Sequence, residues 1–409
     1  MQGEQNRGSA LGQTLAESSA RQIPALLVIY GTRTVLNAPF RIVYPFLPSI
    51  ARGLGVSLGL ASGLVTLRVL FNLLAPLFGP FTDRYGRRVT MEIGLLICGL
   101  ASVALAGLGT VVGAALAFAL FGIAKAMYDP AAHAYVADSV PYERRGRAAG
   151  LVELSWSTAW LVGVPLSGLL IERWGWRSPW AALAVLSMAG TLLMHCKLPD
   201  DQRSTESRDA RAVLPSLLTT WATVIRRSKV RGLLAVAFFL TLAVETPLIV
   251  YGAWLETSFG LGLATLGLAS TVVGVAELAG EFGTAVIADR LGKRRSVLLG
   301  MAGLVVSLVL LPVVASGGLL PAMLAVVCVL FAFEFSFVSF LPVVSEAVPH
   351  SRATLLALNV VAFSLGRVAG TSLGGWLWRW QSISIHCGVG AVFAGLGALM
   401  LWRVAIKPA

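Results

Sequence analysis

The sequence predicts an all-α membrane protein made of two similar bundles of six transmembrane helices. Hydrophobic residues make up 56% of the chain and charged residues only 13%, whereas a soluble domain is about 25% charged. Twelve apolar runs reach the length of about 20 residues that a membrane-spanning helix requires. A short basic motif also occurs twice, about half the chain apart. A chain this apolar cannot cover itself with polar surface in water, and the duplicated motif indicates a tandem repeat.

The apolar runs define twelve predicted spans, separated into two sets of six by a polar segment. Spans 1 to 12 cover residues 24–50, 57–81, 89–110, 112–137, 148–172, 178–196, 231–256, 262–287, 296–316, 319–345, 353–377 and 382–404. The chain is therefore divided into a disordered cytoplasmic tail at 1–22, an N-terminal half at 23–196, a cytoplasmic linker at 197–230 and a C-terminal half at 231–409. Within the linker, residues 214–225 are expected to form a short helix on the membrane surface.

The distribution of basic residues predicts the orientation. Loops on the side of the N-terminus carry most of the 32 Lys and Arg residues, while the loops on the other side hold Arg52, Arg173, Arg177 and Arg379. Because cytoplasmic loops accumulate basic residues, both termini are predicted to be cytoplasmic. The net charge of +12 is then explained by topology, and a nucleic-acid partner is not expected.

The duplicated motif forms two basic turns. The first basic turn, residues 79–88, reads G-P-F-T-D-R-Y-G-R-R, and the second, residues 285–294, reads A-V-I-A-D-R-L-G-K-R. A second pair of similar loops, beginning with Val140-Pro141 and Val348-Pro349, has nearly the same separation. Two pairs at one offset make chance similarity a poor explanation, so the halves are predicted to be related by duplication.

The basic turns resemble the signature G-x-x-x-D-R-x-G-[RK]-[RK] of the major facilitator superfamily, which the first turn matches fully. The second turn departs from it only at Ala285. Span 5 carries G-V-P-L-S-G at 163–168, which loosely resembles the family's antiporter motif, and Lys125 stands where proton-coupled members have arginine. The resemblance implies two pseudo-symmetric six-helix bundles, secondary active transport, no enzyme activity and no cofactor. It is strongest for the drug–proton antiporter group.

The resemblance also implies a cytoplasmic gate. It places the first basic turn beside the start of span 11 and the second beside the start of span 5, so Asp83 is expected to meet Arg352 and Asp289 to meet Arg147. Aspartate suits the positive end of a helix, and glycine suits the bend in each turn. The predicted gate comprises Gly79, Asp83, Arg84, Gly86, Arg87, Arg88, Arg147, Glu153, Asp289, Arg290, Gly292 and Arg352. The alternative is a charge cluster that only fixes the topology.

Charged residues inside the spans mark the expected site, because an ionisable group at the membrane midplane is costly. Arg33, Asn37 and Arg41 in span 1 are spaced by one helical turn each, as are Lys125, Asp129 and His133 in span 4, so each set lies on one helical face. The resemblance places spans 1, 4, 7 and 10 around a central cavity. Further charges in the spans are Arg68, Glu153, Glu245, Glu277, Glu281, Glu334 and Arg367.

Two roles are expected for these residues. The candidates for proton coupling are Asp129, His133, Glu245 and Glu334, and the candidates for lining the substrate cavity are Arg33, Asn37, Arg41, Lys125 and Arg367. Alternatively, Lys125 and Asp129 form a static ion pair that stiffens span 4, and the arginines only neutralise carboxylates. Glu277 and Glu281 are one turn apart and should repel each other if both are ionised.

The favoured function is proton-coupled export of a small, partly apolar compound. Uptake of an organic anion is the alternative that the arginines suggest, and a receptor or lipid scramblase is an alternative of another class. The four histidines are too scattered in the sequence to indicate a metal site. This sequence contains no Walker loop, so nothing in it indicates ATP hydrolysis. The expected partners are a small-molecule substrate and the lipid bilayer. The chain is expected to be a monomer in the bacterial cytoplasmic membrane.

Overall fold

A computed structural model describes residues 2–199, 219, 221–348 and 352–404, with side chains from Pro24 onward except at positions 142, 143, 285, 289 and 353. All the regular secondary structure of the described residues is helical. The N-terminal half contains α1 Gln2–Leu54, α2 Leu58–Asn72, α3 Gly79–Tyr85, α4 Arg87–Leu108, α5 Val111–Ser139, α6 Tyr142–Thr158, α7 Val164–Trp174 and α8 Ser178–Lys197. The C-terminal half contains α9 Ser228–Leu248, α10 Tyr251–Phe259, α11 Leu263–Ala269, α12 Thr271–Leu291, α13 Lys293–Ala315, α14 Leu319–Ala347, α15 Arg352–Leu377 and α16 Ile383–Arg403.

These helices follow the predicted spans. Ten helices in the described chain are long and apolar enough to cross a membrane, and Pro24–Leu54 with Leu58–Asn72 forms a further pair bent by 117°. Because a bend of this size turns the chain back toward the side from which it came, α1 and the broken helix α2–α3 are two crossings. A helical backbone satisfies its own hydrogen bonds, which lipid cannot do.

Several spans are broken close to prolines, which lack the backbone donor that a continuous helix requires. In span 2 a 3₁₀ turn at Ala75–Phe78 joins α2 to α3, and in span 5 a π-helical turn at Ala159–Gly163 joins α6 to α7. Span 7 breaks between α9 and α10, directly after Pro247. These breaks let the helices bend around the centre of the molecule.

The structure describes the backbone of the N-terminal residues but little of the linker. The disordered tail expected at residues 1–22 stays a prediction, and α1 is described from Gln2. Much of this stretch is Gln, Glu, Ala, Leu and Arg, which favour helix, and extending an existing helix costs far less than nucleating one. The linker at 197–230 and its expected surface helix lie largely outside the described residues.

The halves pack together at the face opposite the basic turns. We call the end of the bundle with the two basic turns the basic face, and the other end the opposite face. At the opposite face Gly252 of α10 lies directly against the backbone of Pro45 in α1. Gly168 of α7 and Gly267 of α11 also touch through their Cα atoms. Glycine permits this approach because it has no Cβ.

The basic face is more open. His133, Glu153, Glu281 and Phe282 all lie on the half of their helices nearer this face, and all four are exposed. The side chains of His133 and Glu153 keep 51% and 54% of their accessible surface. We call the region between the two halves the central space: the halves touch closely at its opposite-face end, and exposed charged side chains lie at its end toward the basic face.

Gly252 gives a test of this closure. We expect Gly252→Ala to lower the free energy of unfolding by about 1–3 kcal/mol, because the new methyl group would meet the Pro45 backbone and cannot be relieved by a side-chain rotation. The measurement is the melting temperature of the purified protein in detergent. Gly395→Ala in α16 is the matched control, since a Cβ there meets no atom within 4 Å. Equal melting temperatures for the two variants would contradict this packing.

Candidate functional site

Three helices of the N-terminal half build a polar network around Arg33 in α1. Arg33 Nε donates to Asp129 Oδ1 of α5 at 3.0 Å, and Lys125 Nζ lies 2.8 Å from Asp129 Oδ2. Lys125 also donates to Asn37 Oδ1 at 2.6 Å, and Asn37 Nδ2 donates to Ser155 Oγ of α6 at 3.2 Å. The polar stripes of α1 and α5 therefore meet along their interface.

In this state Glu153, which was predicted as a gate residue, belongs to this network. Its carboxylate lies 3.1 Å from Arg33 Nη1 and 2.8 Å from His133 Nε2. Arg147, the expected neighbour of Glu153 in the gate, is exposed. Glu153 lies six residues, between one and two helical turns, farther into the membrane than Arg147, which places it within reach of the Arg33 side chain.

A second cluster joins the two halves. Arg41 Nη2 of α1 donates to Glu277 Oε2 of α12 at 2.7 Å, and both side chains are buried. The guanidinium carbon of Arg41 lies 3.8 Å from the ring centre of Trp156 and 5.1 Å from that of Trp160. Ion pairing and stacking on aromatic faces are the contacts that arginine makes best.

A third cluster surrounds Glu245 of α9, which is 2% exposed. Arg367 Nε of α15 lies 2.5 Å from Glu245 Oε1, and Tyr44 Oη of α1 donates to both carboxylate oxygens, at 3.0 and 3.1 Å. Arg68 is buried close by and donates to the Pro39 carbonyl at 2.9 Å. Each of these charges has a partner, which lowers the cost of burying it.

Glu334 and Glu281 differ from the other acids in the spans. Within the described residues neither has an ion-pair partner within 4 Å. The Cβ of Glu334 in α14 packs against Gly280 of α12, so Glu334 lies close to both Glu277 and Glu281. The central space therefore contains acidic groups that its bases do not neutralise.

The basic turns bind within their own halves. In the first turn Arg87 Nε lies 3.0 Å from Asp138 Oδ2 at the end of α5, and Arg88 Nη1 donates to the Leu198 carbonyl after α8 at 2.8 Å. In the second, Lys293 pairs with Glu346 at the end of α14. Arg294 Nη2 donates to the Trp402 carbonyl of α16 at 2.7 Å. Arg87 and Arg88 were predicted to belong to a gate between the halves, whereas in this state they tie three helices of one half together.

The glycines of the turns behave as expected from the sequence. Gly86 and Gly292 have φ values of 95° and 83°, a region that other residues rarely adopt. Arg84, Arg290 and Arg352 are exposed, and in the part of the chain with described side chains no ion pair joins Asp83 to Arg352. The side chain of Asp289 lies outside the described residues. The predicted gate contacts remain a prediction for a state closed at the basic face.

Sequence reasoning did not identify several residues that complete these clusters. Tyr44, Trp156 and Trp160 lie in apolar runs, where aromatic side chains usually contact lipid or other helices, and nothing in the local pattern distinguishes them. Glu277 was noted only for its repulsion from Glu281. Among the described residues, no group of three or more His, Cys, Asp or Glu side chains is placed to hold a metal ion.

Comparison with known proteins identifies the family. The family model of the Major Facilitator Superfamily matches residues 29–251 and 233–409. The chain belongs to the major facilitator superfamily. Its relatives in this superfamily include the class C tetracycline resistance protein of Escherichia coli, with 30% identity over 72% of this chain and 74% of that protein. Multidrug resistance protein 2 of Bacillus subtilis is 26% identical over 88% of this chain and 91% of that protein.

Solved structures of the major facilitator superfamily share the fold. A bacterial homologue of the human lysosomal transporter Spinster aligns with a TM-score of 0.74, covering 94% of this chain and 98% of that chain at 15% identity. The protein is thus an integral membrane protein of a transporter family, and not an enzyme. The clusters around Arg41 and Glu245 contain side chains of both halves and so lie between them.

Asp129 and Glu153 give matched tests of the N-terminal network. We expect Asp129→Ala to destabilise the protein by about 3–5 kcal/mol, because it leaves Arg33 and Lys125 buried without their shared partner. Glu153→Ala should cost no more than about 1 kcal/mol, because the Glu153 carboxylate is half exposed and Arg33 keeps its ion pair with Asp129. Melting temperatures in one detergent would compare the two. A larger loss for Glu153→Ala would be incompatible with this network.

Proposed function

We propose that the protein is a secondary active transporter that exports a small, partly apolar compound with a positive charge, driven by protons. It works by alternating access in the bacterial cytoplasmic membrane, with both termini and the basic face in the cytoplasm. The substrate enters the central space from the basic face, and rocking of the two halves then opens the opposite face. Charge placement in the loops supports this orientation.

The observation that carries the proposal is the charge balance of the central space. Arg33, Arg41 and Arg367 each lie within 3.1 Å of a carboxylate oxygen. Glu334 and Glu281 have no such partner among the described residues. A low-dielectric space with uncompensated carboxylates favours a ligand that brings positive charge. Trp156, half buried between Lys125 and Arg41, offers an apolar face beside these groups.

Relatives of this chain support export. Two of those matched over most of the chain are a tetracycline resistance protein and a multidrug resistance protein. Uptake of an organic anion, the alternative suggested by the arginines, is less well supported because binding an anion would require one of their existing ion pairs to break. A receptor or lipid scramblase would need no coupling ion, so a gradient experiment separates it from a transporter.

The proton-coupling candidates differ in their surroundings. Asp129 has two cations, Arg33 and Lys125, within 3.0 Å, so a proton would have to displace both. Glu245 is held by Arg367 and Tyr44. Asp129, Glu245 and His133 remain predicted coupling residues. For Glu334, predicted as a coupling residue, we favour contact with the substrate instead, because its carboxylate lies beside Glu277 and Glu281 without an ion-pair partner among the described residues.

Glu334→Gln tests the proposed charge of the substrate. We expect the variant to bind tetraphenylphosphonium about tenfold more weakly, which corresponds to about 1.4 kcal/mol, because the substitution removes a carboxylate that no base neutralises. Isothermal titration calorimetry of the detergent-solubilised protein is the measurement. Glu256→Gln, at an ion pair with Arg52 near the opposite face, is the control and should bind like wild type. Unchanged binding by Glu334→Gln would contradict this assignment.

Flux in proteoliposomes tests the transport mechanism itself. An imposed pH gradient should drive tetraphenylphosphonium against its concentration gradient, and an ionophore that collapses the pH gradient should stop this accumulation. Accumulation that ignores the pH gradient would rule out proton coupling. Absence of flux in either direction would favour a receptor.

A further inference from the structure

One buried ion pair connects the two halves at the boundary between the closed and the open part of the central space. Arg41 belongs to α1 of the N-terminal half and Glu277 to α12 of the C-terminal half, and their side chains are only 5% and 7% exposed. One helical turn beyond Arg41, Pro45 lies in the closed contact with Gly252. One turn from Glu277 in the other direction, Glu281 is exposed toward the basic face.

This position makes the pair sensitive to conformation. The distance of 2.7 Å between Arg41 Nη2 and Glu277 Oε2 requires the two halves to be together at this depth. When the opposite face opens, α1 and α12 move apart there, and an ion pair of this length cannot persist. Asp129 and Glu245 also form ion pairs, but each is paired with a base of its own half. Rocking of the halves therefore need not break those ion pairs.

The surroundings of Glu277 allow it to bind a proton when Arg41 leaves. The groups that face it are Arg41 from α1, Trp160 from the π turn, Glu334 from α14, Arg367 from α15 and Glu281 on its own helix. Glu281 and Glu334 are acids, so the cluster contains three carboxylates. Three neighbouring carboxylates within a membrane cannot all be ionised without counter-charges. Loss of Arg41 therefore has to be balanced by a proton or by a cationic substrate.

We propose that the Arg41–Glu277 pair is a latch that holds the empty carrier open to the basic face, and that Glu277 is the carboxylate that takes up the coupled proton. This proposal rests on the proton-coupled export proposed above. A proton taken up at the opposite face travels on neutral Glu277 and is released to water in the open central space. The resulting carboxylate then pairs with Arg41. This ion pair keeps the substrate-free protein open to the basic face until substrate binds.

The latch predicts how the conformation depends on pH. Ionised Glu277 pairs with Arg41, so alkaline conditions should close the opposite face, and acidic conditions should open it. Spin labels at Val112→Cys and Leu320→Cys, 79% and 72% exposed at the opposite-face ends of α5 and α14, would report the distance between the halves. Cys196 and Cys328 are exposed, so both are replaced by serine in the labelled protein.

In this background, we measure the label distances by double electron–electron resonance in nanodiscs. From acidic to alkaline pH, the ratio of the short-distance to the long-distance population should increase at least tenfold. Glu277→Gln should abolish the shift and increase the long-distance population at alkaline pH. Arg41→Gln should do the same, and it serves as a second variant if Glu277→Gln does not fold. Glu172→Gln is the matched control, because Glu172 of α7 is exposed and has no ion pair among the described residues, and it should keep the shift. His133 and Glu153 stay in place in all variants.

Retention of the wild-type shift by both Glu277→Gln and Arg41→Gln would overturn the latch. Flux separates a latch from a static bridge, because Glu277→Gln should lose gradient-driven accumulation of tetraphenylphosphonium while keeping exchange across a membrane without a gradient. Equal loss of both activities would favour a static bridge. If wild type shows the pH-dependent distance change but no gradient-driven flux, the proposed function fails and the latch stands as a pH-dependent gate.

Discussion

The low dielectric of the membrane interior makes an unpaired buried charge costly, and the ion pairs of Arg33, Arg41 and Glu245 determine how the helices around them are arranged. The first helix is the centre of the arrangement. Arg33 pairs with two acids of its own half, whereas Arg41, two turns farther, pairs with an acid of the other half. One helix therefore links a network that fixes a half internally to a contact that depends on how the halves are oriented.

The sequence was sufficient to predict the helical spans, the duplicated halves and the polar stripes, because each depends on local periodicity. Arg33, Asn37, Lys125 and Asp129 could be placed on two helical faces from their spacing alone, and the structure brings these faces together. The partner of Glu277 could not be predicted, because Arg41 is more than half the chain away and both residues have nearer candidates. The contacts of Glu153 with Arg33 and His133 could not be predicted for a related reason, since its sequence neighbour Arg147 suggested a local pair.

The contacts of the basic turns have the same form in both halves. In each, the residue after the glycine pairs with an acid at the end of the next span, and the following arginine binds a carbonyl at the end of the last span of that half. These bonds join three helices into one unit at the basic face, the end of the helices that a rocking motion displaces most. Each half can then move as a body, which is the condition for rocking motion.

The glycine contacts at the opposite face also determine how well the protein insulates the membrane. Where Gly252 meets Pro45 and Gly168 meets Gly267, backbone lies on backbone with no polar side chain between. A file of water molecules needs both room and hydrogen-bonding partners, and this contact provides neither. At these two contacts, exclusion of water depends on shape alone, independently of how the neighbouring carboxylates are charged.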